Sequence, residues 1–248
     1  MSTKIILALD SLDGIEADKI ESFLDIRIVR LLFDYVDGFK INHTLYGLID
    51  HILNINHPDK ELFVDFKLWD TPNTVKNVIE HIVKHQATMT TVSTYNNPEV
   101  FKAISGYGKD IKLFGVSFLT SWTNQEINDI NAYQEVNDLS ESLFTKVDLW
   151  RRHINRISEY NFSGVVCPVE DIQYINQIDD SLIKVCPGIR ANNYNGDYTG
   201  QIKVSTMDEA KKQGADYVVV GRSITNVKDP IKAIKAMKEG TYINKGQT

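Results

Sequence analysis

Eight short apolar runs, spread along the chain and separated by stretches of helical periodicity, most constrain what this sequence can fold into. The runs cover residues 4–9, 38–41, 62–67, 88–93, 111–119, 164–167, 182–186 and 217–220. The first, Lys-Ile-Ile-Leu-Ala-Leu, is almost continuously apolar, the pattern of a strand covered on both faces. Between the runs the periodicity predicts helices over 15–36, 45–55, 75–85, 98–105, 148–160, 172–178, 208–213 and 230–239. Residues 122–143, polar and rich in Asn and Glu, read as loop and short helix. Strands alternating with helices build βαβ units on a parallel sheet. Eight such units in 248 residues point to one closed (β/α)8 barrel, the TIM-barrel architecture, spanning 1–248 as a single domain. An open doubly wound sheet is the alternative. No Gly-x-Gly-x-x-Gly follows the first run, which counts against a dinucleotide-binding version of it.

Charge and cysteine usage narrow the function. The net charge of -6 argues against broad nucleic-acid binding but leaves room for a small anion held by local Lys and Arg. No apolar run approaches the roughly 20 residues that span a bilayer, so no membrane association is expected. Met1-Ser2-Thr3-Lys4 leads directly into the first run, which predicts no secretory leader. Cys167 and Cys186 each end an apolar run and read as buried, reduced thiols, in keeping with a cytoplasmic protein.

The richest stretch is Asp65-Phe66-Lys67-Leu68-Trp69-Asp70-Thr71-Pro72-Asn73-Thr74. In a strand, side chains alternate faces, so Asp65 and Lys67 point one way and Phe66 the other. Asp70 falls just beyond, in the turn that Pro72 closes into a helix. The plain alternative is a surface Asp–Lys pair on an edge strand. A carboxylate and an ammonium on the inward face of a buried strand are costly to desolvate and are usually kept for a site.

Other polar residues fall at the same end of their strands. Asp10, Lys40, Thr120, Arg190 and Arg222 all sit at or just after a predicted C-terminal strand end, the rim that carries barrel active sites. Gly221-Arg222-Ser223 joins the eighth run to a helix start, where free backbone N–H groups and a guanidinium favour a phosphate. Its alternative is a turn with a solvated Arg. Residues 191–201 have the polar, Gly-containing composition of a lid.

Taken in order, Leu7-Ala8-Leu9-Asp10, Lys40, Asp65-x-Lys67-x-x-Asp70-x-Pro72-Asn73-Thr74, Leu119-Thr120-Ser121, Pro187-Gly188-Ile189-Arg190, Gln201 and Val220-Gly221-Arg222 resemble the orotidine 5'-phosphate decarboxylase family across almost the whole chain. The acid–Lys–acid core also resembles the ketohexulose-phosphate synthase and ketogulonate-phosphate decarboxylase barrels. The Pro-Asn-Thr continuation favours the orotidylate branch. The resemblance implies conversion of orotidine 5'-monophosphate to UMP and CO2 in pyrimidine synthesis, with neither metal nor organic cofactor. It implies an array of Lys40, Asp65, Lys67 and Asp70, with Lys67 protonating C6 and Asp65 keeping that lysine charged. It implies ribose contacts from Asp10 and Lys40, and pyrimidine contacts from Thr120 and Ser121. It further implies phosphate contacts from Gln201, Gly221 and Arg222, with Arg190 nearby in the Pro187–Arg190 segment. It implies a homodimer in which Asp70 and Thr74 enter the partner's site. One departure is Thr71, where the family commonly has Ile; its hydroxyl is expected to weaken an apolar contact near the base. The segment 122–147 looks longer than in compact relatives.

Two further motifs carry less. His81 and His85 have the helical spacing of a zinc pair, but no Glu follows His81 and no third ligand is evident, so a solvated helix face is expected. Arg151-Arg152-His153 reads as helix surface. Two other functions compete with the decarboxylase: a metal-dependent sugar-phosphate enzyme and a non-catalytic nucleotide-binding barrel.

Overall fold

The computed structural model describes residues 2–10, 26–43, 45, 59–119, 121–132, 145–190 and 203–241. Its strands are β1 (Lys4–Ala8), β2 (Gly38–Ile41), β3 (Glu61–Leu68), β4 (Met89–Ser93), β5 (Lys112–Val116), β6 (Gly164–Val166), β7 (Ile183–Arg190), β8 (Ser205–Thr206) and β9 (Tyr217–Val220). Eight of them close a parallel barrel in the order β1-β2-β3-β4-β5-β6-β7-β9, with β9 pairing back onto β1. The two-residue β8 is appended to β7. The described helices are α1 (Arg27–Leu32), α2 (Pro72–Lys84), α3 (Pro98–Ile104), α4 (Asn124–Ala132), α5 (Lys146–Glu159), α6 (Ile172–Asn176), α7 (Met207–Gln213), α8 (Arg222–Thr225) and α9 (Pro230–Glu239). Residues 15–25 of the helix expected over 15–36, residues 46–55 of that expected over 45–55, Thr120, and residues 191–201, Gln201 among them, lie outside the described residues.

Alternation of side chains along each strand divides the apolar residues into two layers. Ile6, Ala8, Phe63, Met89, Phe114 and Val219 fill the barrel interior. Leu7, Phe39, Val64 and Phe66 belong to the layer between strands and helices. The same alternation turns Lys40, Asp65 and Lys67 inward, because Phe39, Ile41, Val64 and Phe66 face outward. At the N-terminal end the barrel is closed by Glu61, which takes hydrogen bonds from Lys112 at 2.5 Å and from the Tyr217 hydroxyl at 2.9 Å.

Two strand ends depart from expectation, for one reason: a strand continues only while a neighbour pairs with it. β5 stops at Val116, short of residue 119, because its partner β6 ends opposite at Val166. β7 runs on through Pro187 and Gly188 to Arg190, because β8 pairs with Ile189 and Arg190. Gly188 takes a positive φ of 82° at the shift in register between β7 and β9, a conformation that glycine adopts without strain.

The expectation that Arg151-Arg152-His153 lies on a surface needs correcting at its third residue. Arg151 and Arg152 are exposed, but His153 is buried beside Leu149, Trp150, Ile154 and Ile157, the inward stripe of α5. Its Nδ1 lies 2.8 Å from Thr94 Oγ1, and Nε2 has no hydrogen-bond partner. Burial, reinforced by the charges of Arg156 and Arg152, pushes the imidazole down to about 3 from 6.5. Only the unfolded chain then takes up a proton between those values, so stability is complete above pH 6.5 and declines as pH falls toward 3. The expected slope is about 1.4 kcal/mol per pH unit. His153→Gln is expected to flatten this acid limb in urea-unfolding midpoints between pH 7 and pH 4. An identical limb in the variant would refute the assignment.

Among the described residues no helix is long and apolar enough to cross a membrane. Cys167 and Cys186 are buried, as expected, and form no disulfide; their sulfurs lie 3.9 Å apart, within reach of a weak S–H hydrogen bond.

Candidate active site

The inward charges converge where β1, β2 and β3 end. Lys40 Nζ lies 2.5 Å from Asp10 Oδ1 and 3.3 Å from Asp65 Oδ2. Lys67 Nζ donates to Asp65 Oδ1 at 2.9 Å. Four residues from three adjacent strand ends thus form one continuous alternation of positive and negative charge. Lys40 is buried, with its side chain 7% exposed, and Asp65 nearly so at 13%; Lys67, 39% exposed, lies at the open mouth of the cavity.

Electrostatics keep this centre ionised. Burial alone drives the Asp65 carboxyl upward, but Lys40, Lys67 and the hydrogen bonds from Lys67 and Thr91 outweigh it and hold the group at about 2. Burial likewise works against a charge on Lys40, and the carboxylates of Asp65 and Asp10 reverse that effect and raise it. The result is a fixed anion between two cations, oriented before any ligand arrives.

The backbone at Lys67 is unusual. Its φ is +48°, in the left-handed region that a residue bearing a side chain occupies at a cost of about 1–3 kcal/mol. The register of β3 on β4 shifts between Val64 and Leu68, so the strand bulges at this lysine. The Lys67 N–H is taken by Thr91 Oγ1 at 2.8 Å, and the Thr91 hydroxyl donates to Asp65 Oδ1 at 2.9 Å. Strain of this kind persists only where surrounding structure over-determines it.

The charged array opens into a cavity of about 450 Å³, within the usual range for small-molecule sites. Asp10, Lys40, Asp65 and Lys67 line it from β1 to β3. Pro187, Arg190, Gly221 and Arg222 line it from β7 and the β9–α8 junction, and Ser121 contributes after β5. Arg190 is 9% exposed and its Nη1 donates to Ile189 O at 3.4 Å. Because α8 is a single turn, attraction for an anion here rests on Arg222 and the local amides rather than on a helix dipole.

Asp70 and Thr74 are not brought into the cavity of the single chain. Both are exposed at the start of α2, where Thr71 is the residue before the first helical position and Pro72 opens the helix. Asp70 Oδ1 accepts from the Thr71 amide at 2.6 Å, and the Thr71 hydroxyl lies 2.9 Å from that of Thr74. The hydroxyl at position 71 is thus exposed and pairs with a side chain in the first turn of α2. Trp69 beside them is 73% exposed. The His81 and His85 rings meet at a tilt of 54° with centroids 4.6 Å apart, and among the described residues no group of three or more candidate ligands is arranged for a metal.

Sequence reasoning missed Asn42 and Thr91. Asn42 lines the cavity two residues after Lys40, so the strand period already pointed to it. Thr91 is an ordinary β-branched strand residue, and nothing local distinguishes it.

A closed parallel barrel with a charged cavity at the C-terminal mouth of its strands defines the class: a (β/α)8 enzyme-type barrel built to hold a small anionic ligand. Residues 3–237 match the family model described as orotidine 5'-phosphate decarboxylase / HUMPS family. The chain belongs to that family. It is 32% identical over 228 residues to an orotidine 5'-phosphate decarboxylase of Aquifex aeolicus (strain VF5), covering 86% of this chain and 93% of that protein. The crystal structure of orotidine 5'-phosphate decarboxylase from Pyrococcus horikoshii OT3 superposes with a TM-score of 0.67 at 25% identity, covering 95% of this chain and 97% of the other. The crystal structure of orotidine 5'-monophosphate decarboxylase from Methanocaldococcus jannaschii, complexed with inhibitor BMP, superposes with a TM-score of 0.68 at 20% identity, covering 96% of this chain and 98% of the other, a likeness of fold.

Proposed function

We propose that this protein is a carboxy-lyase that converts orotidine 5'-monophosphate to UMP and CO2. The observation that carries the reading is the Lys40–Asp65–Lys67 alternation of charge opening into a cavity also lined by Arg190 and Arg222. Loss of CO2 from C6 leaves its electron pair on a carbon with no ordinary sink, so stabilisation must come from charge already in place. The Lys67 ammonium faces that carbon, stabilises the developing carbanion and transfers its proton to it. The C6–carboxylate bond breaks, a C6–H bond forms, and Lys67 regains a proton from solvent. Asp65 stands beside the departing carboxylate, so repulsion is relieved as the transition state is approached. Lys40 and Asp10 bind the ribose hydroxyls. Thr120 and Ser121 address the pyrimidine, and Arg222, the Gly221 amide and Gln201 grip the phosphate near Arg190 and Pro187. No metal or organic cofactor takes part in this scheme, so a chelator is expected to leave turnover unchanged.

The reading extends to a homodimer and to a cytoplasmic enzyme with residues 1–248 as one barrel domain. Exposure of Asp70, Thr74 and Trp69 at one corner supports the dimer: a catalytic carboxylate outside its own cavity has a use if it enters a neighbour's. The two free thiols suit a reducing compartment. The test is subunit mixing. Lys67→Ala and Asp70→Ala are each expected to be inactive alone. Co-refolded in equal amounts, half of the dimers are hybrids with one intact site, so about a quarter of wild-type activity returns. No recovery would rule out sharing of Asp70 between subunits. Wild-type protein without any turnover of orotidine 5'-monophosphate would overturn the decarboxylase itself.

A further inference from the structure

We propose that Thr91 is a positioning residue for the reaction, holding Lys67 and Asp65 in mutual register through a single hydroxyl. The inference rests on the decarboxylase reading and adds a member to its site. Thr91 sits in β4 opposite the bulge of β3, where the regular ladder is interrupted between the Val64–Thr90 and Leu68–Val92 pairs. With φ at +48°, the Lys67 amide is aimed at the Thr91 side chain, which accepts it at 2.8 Å. The hydroxyl has one hydrogen and gives it to Asp65 Oδ1 at 2.9 Å. That same oxygen accepts from Lys67 Nζ at 2.9 Å. A ring closes: amide of Lys67 to Thr91, Thr91 to Asp65, and Asp65 back to the amine of Lys67.

The ring does two things at once. It fills the hydrogen bond that the bulge takes from the Lys67 amide, so the left-handed backbone is retained. It also fixes which oxygen of Asp65 faces Lys67, leaving Oδ2 for Lys40 at 3.3 Å. Thr91 is completely buried and does not line the cavity, so it acts through its neighbours and not on the substrate. β-Branching suits the task, because χ1 is stiff and the hydroxyl has one settled direction.

The test compares wild type with Thr91→Val, which keeps the shape and removes the hydroxyl, and Thr91→Ser, which keeps the hydroxyl. Steady-state turnover of orotidine 5'-monophosphate and thermal unfolding are measured on all three. Thr91→Val is expected to lose about 100-fold in kcat, as displacement of a reacting group by about 1 Å does, with KM within about threefold of wild type. Thr91→Ser is expected to stay within about fivefold of wild type in kcat. A purely structural residue would instead lower the folded fraction and the melting temperature, with normal kcat per folded site. Should Thr91→Val not fold, Thr91→Ala carries the same expectation; failure of both to fold makes the residue structural and overturns the proposal. Normal kcat in Thr91→Val, or a Thr91→Ser variant as impaired as Thr91→Val, also overturns it while leaving the decarboxylase intact. An inactive wild type would remove both.

Discussion

Lys67→Ala is expected to lower kcat on orotidine 5'-monophosphate by about 100,000-fold while UMP still binds within about tenfold of its wild-type affinity. The size follows from the two roles that one amine fills in this site. A positioned proton donor typically contributes about 100- to 10,000-fold, and a preorganised charge at the developing anion about 100- to 1,000-fold. Lys40 cannot substitute, because it is held between Asp10 and Asp65 on the neighbouring strand. Little loss of stability should accompany the change, since the Lys67 side chain is 39% exposed and solvent screens much of its pairing with Asp65. Steady-state kinetics with titration of UMP binding separates the two effects. A variant that keeps more than about 1% of wild-type kcat would exclude Lys67 as the proton donor.

The second large effect is expected at Asp65. Asp65→Asn keeps the shape of the side chain but leaves two ammonium groups facing a neutral amide. Turnover is expected to fall by about 1,000-fold, the scale of losing one preorganised electrostatic partner. Stability at pH 7 is expected to fall as well. The Asp65 carboxyl is held at about 2 against 3.8 in its unperturbed state. A depressed carboxylate contributes stability that is complete above the unfolded value near 4 and is lost as pH falls through about 2. That difference corresponds to about 2 kcal/mol at neutral pH. Full orphaning of a buried partner costs about 3–5 kcal/mol; the loss here is smaller because Lys40 retains Asp10. Guanidinium unfolding of wild type and Asp65→Asn at pH 7, 4 and 2 distinguishes this from the His153 effect, because the gap between the two proteins closes only between about 4 and 2, whereas the His153 limb begins near 6.5 and is common to both. An unchanged midpoint at pH 7 would show that the charge at position 65 is not held by its neighbours.

Much of this site was open to reading from the chain alone, because strand geometry repeats every two residues. That period places Asp65 and Lys67 on one face and Phe66 on the other, and it turns Lys40 inward between Phe39 and Ile41. The apolar runs and their spacing likewise dictated eight strands, and with them a barrel whose polar strand ends share one rim. These are local properties, fixed by bond geometry and by which residues water excludes.

What the chain did not disclose depends on partners distant in sequence. β7 extends through Pro187 and Gly188 because β8 pairs with its last two residues. His153 is buried because α5 packs it beneath Thr94 and Tyr95, although two exposed arginines precede it. The left-handed turn at Lys67 exists because β3 slips its register on β4, and Thr91, 24 residues away, takes the amide so freed. Period and hydropathy act within a strand and were legible. Register between strands is set by the closing of the whole barrel, and no stretch of residues encodes it locally.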